Sequence, residues 1–554
     1  MSPITMSEST RAPNFVRRPR RQALALSLLL LAIGPSGARA AQSAPAAPSS
    51  APASPSARPR VAMVGLTCPP ETDPRDAWVA LGVEETLSWR LRRTPGVVTI
   101  PTARLHQARR ELHDAGHPDP AWPAVVELLG GRLLITGQAA GTPDALTITL
   151  ELREIGNGSA PRRGALGPGR MFAVLDEATA WINDSLGVVP PSGDPRSLAF
   201  SAPAATPTAI EYYAKALGAA RADRMADAVY YADEAIRFDP RYRPALSMLA
   251  QVGQRLSGEA LATALRRMRV LSELARQNGD WVDRAEAELM QGVAVMVLTA
   301  PEPAILRFEN GLRIYREHDE PYGRVSAMGY LADAHLSWRP PLDTPLDDDG
   351  LRRFAEEKLA LALDWQSRVL DELTALGDVV AQMPAMNKLA LICERLGQHD
   401  RAFELHRRTI ELAQRARSPR SEASAWMFLA QWHRTRKDWP DALAAARRCL
   451  ELASLDSRPA VHVALAEILR EMTPPQPAEA LQQYQAACAE LEKGDDLHKQ
   501  LLCLENIAEL QYDLGRRDAA VAALNEAIDL AHALRLPAEA ELRARLARWR
   551  QPPD

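Results

Sequence analysis

The chain carries little of what would mark a nucleic-acid-binding or disulfide-rich protein. Among its 554 residues, 66 lysines and arginines nearly balance 70 acidic residues, and only five cysteines occur. A nucleic-acid-binding domain needs a basic face, and a disulfide framework needs an even number of cysteines that pair with one another. The composition therefore predicts no nucleic-acid partner and no disulfide-stapled scaffold.

Sequence motifs of catalysis are missing as well. The chain has no GxSxG nucleophile motif, no HExxH zinc motif and no Walker phosphate loop. Gly164, Gly167 and Gly169 are interrupted by Pro168, and they do not follow a predicted strand as a phosphate loop should. We expect a flexible loop over residues 156–169, no catalytic residue and no cofactor.

Two groups of polar residues have a loose likeness to metal sites. His113 and His117 have the spacing of a helical chelate, but a glycine and a proline break the helix there, so we expect them to face its last carbonyls. Asp347 to Asp349 lack the alternating oxygen ligands of a calcium loop. They are predicted to cap a helix that starts at Leu351. No metal is expected.

A long hydrophobic run is also absent. The longest, residues 23–33, is shorter than the roughly 20 residues that cross a hydrocarbon core. Four arginines precede it and Ala38-Arg39-Ala40 follows, which is the order of a secretory signal peptide over residues 1–40. Because no cysteine stands at the predicted cleavage site after the run, where a lipoprotein carries its lipid anchor, a lipid-attached form is disfavoured. We expect export to the periplasm, with an uncleaved anchor in the inner membrane as the alternative.

The rest of the chain divides by composition. Residues 41–58 are almost entirely alanine, proline and serine, which predicts a disordered linker. Residues 59–189 alternate between strand-like and helix-like stretches, residues 190–205 form a second linker, and residues 206–554 have helical patterns. No stable insertion in a membrane is predicted after signal cleavage.

Residues 59–189 predict a small α/β sandwich. Strands are predicted over 61–66, 97–100, 132–139 and 145–153, and helices over 78–91, from Thr102, over 122–129 and over 171–186. The last strand alternates plainly, with Leu146, Ile148 and Leu150 on one face and polar residues on the other. One face of this sheet is therefore expected to be buried and the other exposed to solvent.

Small residues recur in the helical region at a fixed interval. Ala402, Ala442, Ala480 and Ala520 each open a helical run after a polar break, at intervals of 40, 38 and 40 residues. An alanine suits a point where two antiparallel helices approach closely. The recurrence predicts a solenoid of helical repeats.

The positions around these alanines resemble the tetratricopeptide repeat. The large and small residues of that repeat correspond to Trp426, Leu429, Ala430, Ile507, Ala508, Leu524 and Ala527, and an earlier unit to Tyr212, Ala228, Ala235 and Pro240. Gly397 and Gly515 stand at turns between helices. The resemblance covers residues 206–554, with a spacing longer than the usual ~34 residues. Cys449 occupies an alanine position, which favours a small buried residue, although a bridge from Cys488 to Cys449 or Cys503 stays open.

The preceding domain resembles the TolB amino-terminal-like domain, on its order of strands and helices and the hairpin that begins with Leu134-Ile135-Thr136-Gly137. Its position before the repeats is also similar to the periplasmic half of CadC-type regulators. The resemblance implies an envelope sensing or scaffold module. The predicted fold class is thus α+β, with a small α/β sandwich domain followed by an all-α, tetratricopeptide-like superhelical repeat array.

The resemblance also implies a binding face, because the first helix of each repeat lines the concave side of such arrays. The predicted partner-binding residues are Met427, Gln431 and Arg434 on one helix and Glu505, Glu509 and Tyr512 on another. The alternative is that they are solvated helix faces. Lys388 and Asn506 match one offset of the family's carboxylate clamp, but the partners of that clamp are missing, so a peptide C-terminus is not a predicted ligand.

Three functional hypotheses follow. The predicted function is a non-enzymatic exported scaffold or sensor that binds a protein or peptide partner through its repeats. The alternative is an envelope hydrolase with a site between the two domains, for which Glu84, Glu85, Asp176 and Glu177 are the nearest acidic residues, all expected to be exposed. A third is a subunit of an outer-membrane assembly complex. The sequence predicts neither the ligand nor the oligomeric state.

Overall fold

The computed structural model describes residues 58–114, 120–188, 206–222, 224–253, 259–298, 301–338, 347–492 and 496–550. This part of the chain is an α+β protein, with a five-stranded sheet near its start followed by stacked helices. The predicted signal peptide and both predicted linkers, apart from Arg58, lie outside the described residues, as does His117.

The sheet mixes parallel and antiparallel strands. Its strands are β1 (Arg60–Thr67), β2 (Val98–Thr99), β3 (Leu133–Ala140), β4 (Leu146–Glu154) and β5 (Arg162–Gly169). They lie in the order β2-β1-β3-β4-β5, and β1 is parallel to both of its neighbours. The predicted hairpin between β3 and β4 is confirmed.

Strand β5 corrects the prediction of a loop over residues 156–169. It pairs antiparallel with β4 and forms one edge of the sheet. Proline cannot donate to a ladder and is confined to such edges, which accommodates Pro168. A Cβ atom at Gly164 would lie 2.6 Å from the ring of Trp181, so the glycine allows a helix to pack on the strand. The residues that indicated a loop are suited to an edge strand beneath a tryptophan.

Helices cover both faces of the sheet. They are α1 (Trp78–Leu91), α2 (Thr102–Asp114), α3 (Trp122–Leu128) and α4 (Met171–Leu186). Alternate residues of β1 enter two cores: Met63 packs in the core with α1 and α4, and Val64 in the core with α2 and α3. Burial on both faces explains why β1 is an unbroken apolar run.

Seventeen further helices follow in the described residues. They are α5 (Pro207–Arg221), α6 (Met225–Phe238), α7 (Arg243–Gly253), α8 (Glu259–Asn278), α9 (Trp281–Leu298), α10 (Pro301–Glu317), α11 (Pro321–Ser337), α12 (Asp348–Leu376), α13 (Val379–Arg395), α14 (His399–Arg415), α15 (Pro419–Thr435), α16 (Trp439–Leu452), α17 (Arg458–Glu471), α18 (Pro477–Leu491), α19 (Leu497–Asp513), α20 (Arg517–Ala533) and α21 (Ala538–Arg550). Each packs against the next, which makes the odd-numbered helices the first helices of successive pairs.

The periodic alanines are confirmed as packing positions. Ala402, Ala442, Ala480 and Ala520 lie near the starts of the second helices α14, α16, α18 and α20, and all four are fully buried. The two predicted turn glycines have positive φ angles, 73° at Gly397 and 74° at Gly515. These turns end first helices α13 and α19 in a conformation that glycine adopts at little cost.

Local features of the middle region are confirmed as well. The pair of helices predicted over 285–297 and 304–315 corresponds to α9 and α10, where Gly292 allows the ring of Phe308 to approach. Asp347 caps α12, since its carboxylate accepts a 2.7 Å hydrogen bond from the backbone N–H of Gly350. That helix begins at Asp348, three residues before the predicted start.

Two further properties concern the described residues only. No helix among them is both long and apolar enough to cross a membrane. All five cysteines are described and none forms a disulfide, and Cys393, Cys449, Cys488 and Cys503 are buried. The interpretation of Cys449 as a small core residue is confirmed.

Candidate functional site

First helices of consecutive repeats are joined by charged side chains. Arg434 of α15 donates a 2.5 Å hydrogen bond to Glu467 of α17 and a second bond to Glu471 on the same helix. Burial acts to lower the pKa of Arg434, but the bonds to Glu471 and Glu467 outweigh it and raise that pKa above its ordinary value. The bond from Arg434 also lowers the pKa of Glu471. This is the first rung of what we call the ion-pair ladder.

The ladder continues toward the C-terminal end. Arg470 of α17 donates a 3.3 Å hydrogen bond to the side-chain oxygen of Asn506 on α19 and lies 3.8 Å from Glu509. Arg545 of α21 donates a 2.7 Å hydrogen bond to Glu509. Four first helices, α15, α17, α19 and α21, are therefore linked along one face, which we call the first-helix face.

The predicted residues on α15 lie on this face. Met427 and Gln431 are half-buried, and the side-chain oxygen of Gln431 accepts a 3.3 Å hydrogen bond from Arg434. Only 14% of the Arg434 side chain is exposed. Arg434 is thus already paired within the chain, whereas Met427 is apolar and packs in part against the cluster of Ala423, Cys449, Ala453 and Val461.

The predicted residues on α19 lie two first helices further on. Tyr512 stacks on Trp549 of α21, with ring centroids 4.5 Å apart and planes 11° from parallel. Burial raises the pKa of Glu505, and Glu509 adds to that rise while Arg545 opposes it. The two predicted groups do not touch each other. Helix α17 stands between them and links them through the ladder.

Sequence reasoning missed the partners that α17 and α21 supply. Each pairs with a residue one repeat away: Arg434 and Glu471 are 37 positions apart, and Glu509 and Arg545 are 36 apart. Opposite charges at the repeat interval were the signal that could have found them.

An open pocket lies at the last rung of the ladder. It is lined by Glu509, Tyr512, Asp513, Arg545, Arg548 and Trp549. Two of the predicted partner-binding residues, Glu509 and Tyr512, are therefore part of a concave surface.

A second charged cluster lies between the α/β domain and the repeats. Arg93 donates a 2.8 Å hydrogen bond to Asp280 and pairs with Asp283, at the start of α9. Arg243 of α7 reaches the same two carboxylates, at 2.5 Å and 2.9 Å. Burial acts to raise the pKa of Asp280, but the charges of Arg93 and Arg243 outweigh it and hold that pKa below its ordinary value. At Asp283 burial prevails and raises the pKa to about 6.

The same contact recurs at another first helix. Asp378 caps α13 by accepting from the backbone N–H of Ala381 at 2.8 Å, and Arg104 of α2 binds both of its oxygens at 3.0 Å. Arg92 pairs with Glu286 of α9. Arginines of the α/β domain therefore hold the starts of helices in the array.

Two carboxylates near this interface correct an expectation. Glu84 and Glu85 were expected to be exposed, but only 4% and 14% of their side chains are. The pairing of β1 with β3 shifts register between Met63 and Leu66, and next to this shift Glu84 accepts a 2.9 Å hydrogen bond from the backbone N–H of Leu66. Glu85 accepts a 2.9 Å bond from Arg221 of α5, and burial raises its pKa to about 7.

The neighbours of Glu84 and Glu85 give these two carboxylates a structural role. His106 lies 3.9 Å from Glu84, and burial lowers the pKa of its imidazole. The other two acidic candidates differ: 67% of the Asp176 side chain is exposed, and Glu177 is exposed as expected. Glu84 and Glu85 are each bound to a partner that connects elements of the fold.

One group of side chains has the spacing of metal ligands. Atoms of His433, Asp438 and Asp441 lie within 4.8 Å of one another. Both aspartates are at the start of α16, where the helix dipole favours negative charge. The helix terminus accounts for these carboxylates without a metal. His113 is exposed.

Comparison with known proteins identifies part of the array. Residues 382–454, which run from α13 through α16, match the tetratricopeptide repeat family. This segment therefore consists of tetratricopeptide repeats, as the spacing of its alanines predicted. No curated protein matches the chain.

Several solved structures match part of this chain. A signal transduction ATPase with numerous domains and a tetratricopeptide repeat sensor, from Pyrococcus horikoshii, is 12% identical with a TM-score of 0.42, over 62% of this chain and 52% of that one. The chain thus spans about half the length of that protein. RapI in its apo form is 10% identical with a TM-score of 0.38, over 62% of this chain and 96% of that one. Aspartyl phosphate phosphatase F from Bacillus subtilis is 10% identical with a TM-score of 0.33, over 63% of this chain and 95% of that one.

Proposed function

We propose that the protein is an exported, non-enzymatic scaffold or sensor that binds a protein or peptide partner across its first-helix face. The observation that carries this proposal is the face itself. It presents half-buried polar and apolar side chains such as Met427 and Gln431 beside paired charges. Stacked helical repeats build extended surfaces for binding rather than enclosed active sites.

The ion-pair ladder supports a polar partner over an apolar one. Glu471 and Glu509 have 49% and 41% of their side chains exposed, so their pairs exchange readily with solvent. A partner that brings its own charges can replace these bonds without burying an unpaired ion. Arg434 and Glu509 are then the residues at which a bond within the chain is replaced by a bond to the partner.

The α/β domain is proposed to act as a fixed part of this scaffold. Its arginines bind the starts of α9 and α13, and α1 packs directly on α5, where Gly82 meets Ile210. We keep the resemblance to TolB amino-terminal-like domains and CadC-type sensors as the basis for the proposed location in the bacterial envelope. The export signal over residues 1–40 belongs to the same proposal.

Crosslinking in intact cells followed by mass spectrometry tests the proposal. The test variant is Met427→Arg with Gln431→Arg, which adds two charges to α15 without removing a ladder residue. The control is Ala444→Arg with Ala522→Arg, which adds the same two charges at exposed positions of the second helices α16 and α20. We expect a stoichiometric partner that the test variant loses and the control retains, with equal circular dichroism for both.

Two results would contradict the proposal. If neither wild type nor control yields a partner, the scaffold function is wrong. If the test variant and the control lose the partner equally, binding does not use the first-helix face.

A further inference from the structure

Helix α12 extends beyond the helices that pack against it. It has 29 residues, whereas α11 and α13 have 17 each. From Asp348 to Leu361, a segment that we call the α12 tip, each residue keeps part of its surface exposed. Ala362 is the first fully buried residue of the helix. At 1.5 Å per residue, roughly 20 Å of α12 is therefore only partly covered by the residues that the structure describes.

An apolar stripe runs along the α12 tip. Leu351, Ala355 and Leu359 recur every four residues, which places them on one side of the helix. Leu351 is 42% exposed, Ala355 is exposed and Leu359 is half-buried. The same side of α12 enters the core further along the chain, at Ala362 and Val369. The apolar face thus continues for about two turns beyond the part that the array buries.

Two opposite charges lie along one flank of this stripe. Arg352 and Glu356 each directly follow a stripe residue, so the helix places both on the same flank, and both are exposed. Glu356 forms no ion pair within the described part of the chain. Arg352 lies 3.7 Å from Asp349, with 64% of its side chain exposed, so this pair exchanges readily with solvent. On the other flank, the ring of Trp338 lies 4.0 Å from Nζ of Lys358. The open flank therefore carries a donor and an acceptor four residues apart.

The exposed length, the stripe and the charges share nearly the same midpoint. The α12 tip is centred between Phe354 and Ala355, the stripe on Ala355, and the two charges on Phe354. When a helix lies antiparallel against its own copy, residues at equal distances from such a centre face each other. Arginine then faces glutamate on both sides of the two-fold axis, whereas a parallel arrangement would place like charges level with each other. The spacing therefore fits a second copy of this chain in the antiparallel direction.

We propose that the α12 tip is a dimer interface, at which it packs antiparallel against the α12 tip of a second copy. Leu351 of one copy faces Leu359 of the other, and Ala355 meets its own counterpart near the two-fold axis. Arg352 pairs with Glu356 of the second copy, twice. The buried part of each α12 begins where the tip of the other ends, so the two arrays lie at opposite ends of the paired segment. This self-association is separate from the binding of a partner on the first-helix face.

Sedimentation equilibrium of the full chain tests the dimer. Because about 14 residues a side is fewer than a standard interface has, we expect a weak dimer with a Kd on the order of 10 µM. Arg352→Glu and Glu356→Arg should each weaken it about tenfold, since each variant replaces two attractive pairs by two repulsive ones. An equimolar mixture of the two variants should dimerise about as well as wild type, because each supplies the charge that the other lacks.

Matched controls carry the same charge changes on another helix. Arg408→Glu and Glu411→Arg alter exposed residues of α14, and we expect both to keep the wild-type Kd. A covalent test changes no charge: oxidation of Ala355→Cys should give a disulfide-linked dimer, whereas oxidation of Ala444→Cys, at an exposed position of α16, should not. This second test decides the question even if a charge variant misfolds.

Four results would overturn the proposal. The first is a wild-type chain that stays monomeric well above the expected Kd. The second is an equal loss of dimer in the α12 variants and the α14 controls. The third is a mixture of the two α12 variants that remains monomeric. The fourth is Ala355→Cys that crosslinks no faster than Ala444→Cys.

Discussion

The domain interface and the first-helix face use the same chemistry in opposite surroundings. At the interface, the side chains of Arg93, Asp280 and Asp283 are 3%, 4% and 2% exposed. On the first-helix face, Glu471 keeps 49% of its side chain exposed. Removing one member of a buried pair leaves the other charge buried without a partner, which destabilises the fold. An exposed pair contributes little to stability. The interface pairs therefore fix the architecture, and the ladder pairs remain available for exchange.

The largest effect should come from breaking the interface cluster. Among the described residues, Arg93→Ala leaves Asp280 and Asp283 with Arg243 as their one remaining basic partner. We expect a loss of about 3–5 kcal/mol in the free energy of local opening. Hydrogen exchange at the start of α9 measures it. In a second variant, Arg93→Met with Asp283→Asn, most of this stability should return because the charges balance again. A loss below about 1 kcal/mol in Arg93→Ala would remove the contrast between the two regions.

A smaller effect should appear in the pH dependence of the interface. The pKa of Glu85 is about 7 in the folded chain, above the ordinary value of 4.5. A carboxyl group with a raised pKa stabilises the fold below its unfolded pKa, and that contribution is lost as the pH rises through its folded pKa. Stability should therefore fall between about pH 4.5 and pH 7.

Glu85→Gln tests this assignment, since glutamine does not ionise. We expect the variant to be more stable than wild type at pH 8, by about 1–3 kcal/mol, and equal to it near pH 4. Thermal melts at both pH values measure the difference. The remaining pH dependence in the variant should lie lower, because burial raises the pKa of Asp283 only to about 6. An unchanged profile would show that Glu85 is not the titrating group.

The smallest effect should come from the ladder. Arg434→Ala removes the bonds to Glu467 and Glu471, yet we expect a loss of at most about 1 kcal/mol. Hydrogen exchange in α15 and α17 measures it, and 0.5 M salt should reduce the difference because exposed pairs are screened. A loss as large as that of Arg93→Ala would mean that the two regions do not differ.

The residues that could be predicted from sequence are those whose role is local or periodic. Ala442 and Ala520 recur at the repeat interval and follow turns, so their burial could be predicted from spacing alone. Strand β5 could not, because Gly164 and Pro168 indicate a loop unless the edge of the sheet and Trp181 are known. The same holds for Glu84, whose carboxylate is bound to the backbone N–H of Leu66, a partner 18 positions away in the sequence.

The candidate site shows the same division. Its positions on α15 and α19 followed from the repeat pattern, and the structure places Glu509 and Tyr512 in a pocket. Its electrostatics did not follow, because the partners of Arg434 and Glu509 come from neighbouring repeats. The role of the six predicted residues on α15 and α19 in binding a partner stays a prediction.

The spacing of the ladder bears on how such an array can change in length. Two of its rungs join residues 37 and 36 positions apart, which is close to one structural unit. Of the four first helices, α17 carries both an acceptor, Glu471, and a donor, Arg470. Duplication of the unit that contains α17 would copy the two together, so the new copy would find a complementary neighbour on either side. A single-residue insertion within a first helix would instead turn the following side chains of that helix by about 100° and misalign the rungs that they form. Growth by this unit would thus preserve the charge pairing, and growth by single residues would not.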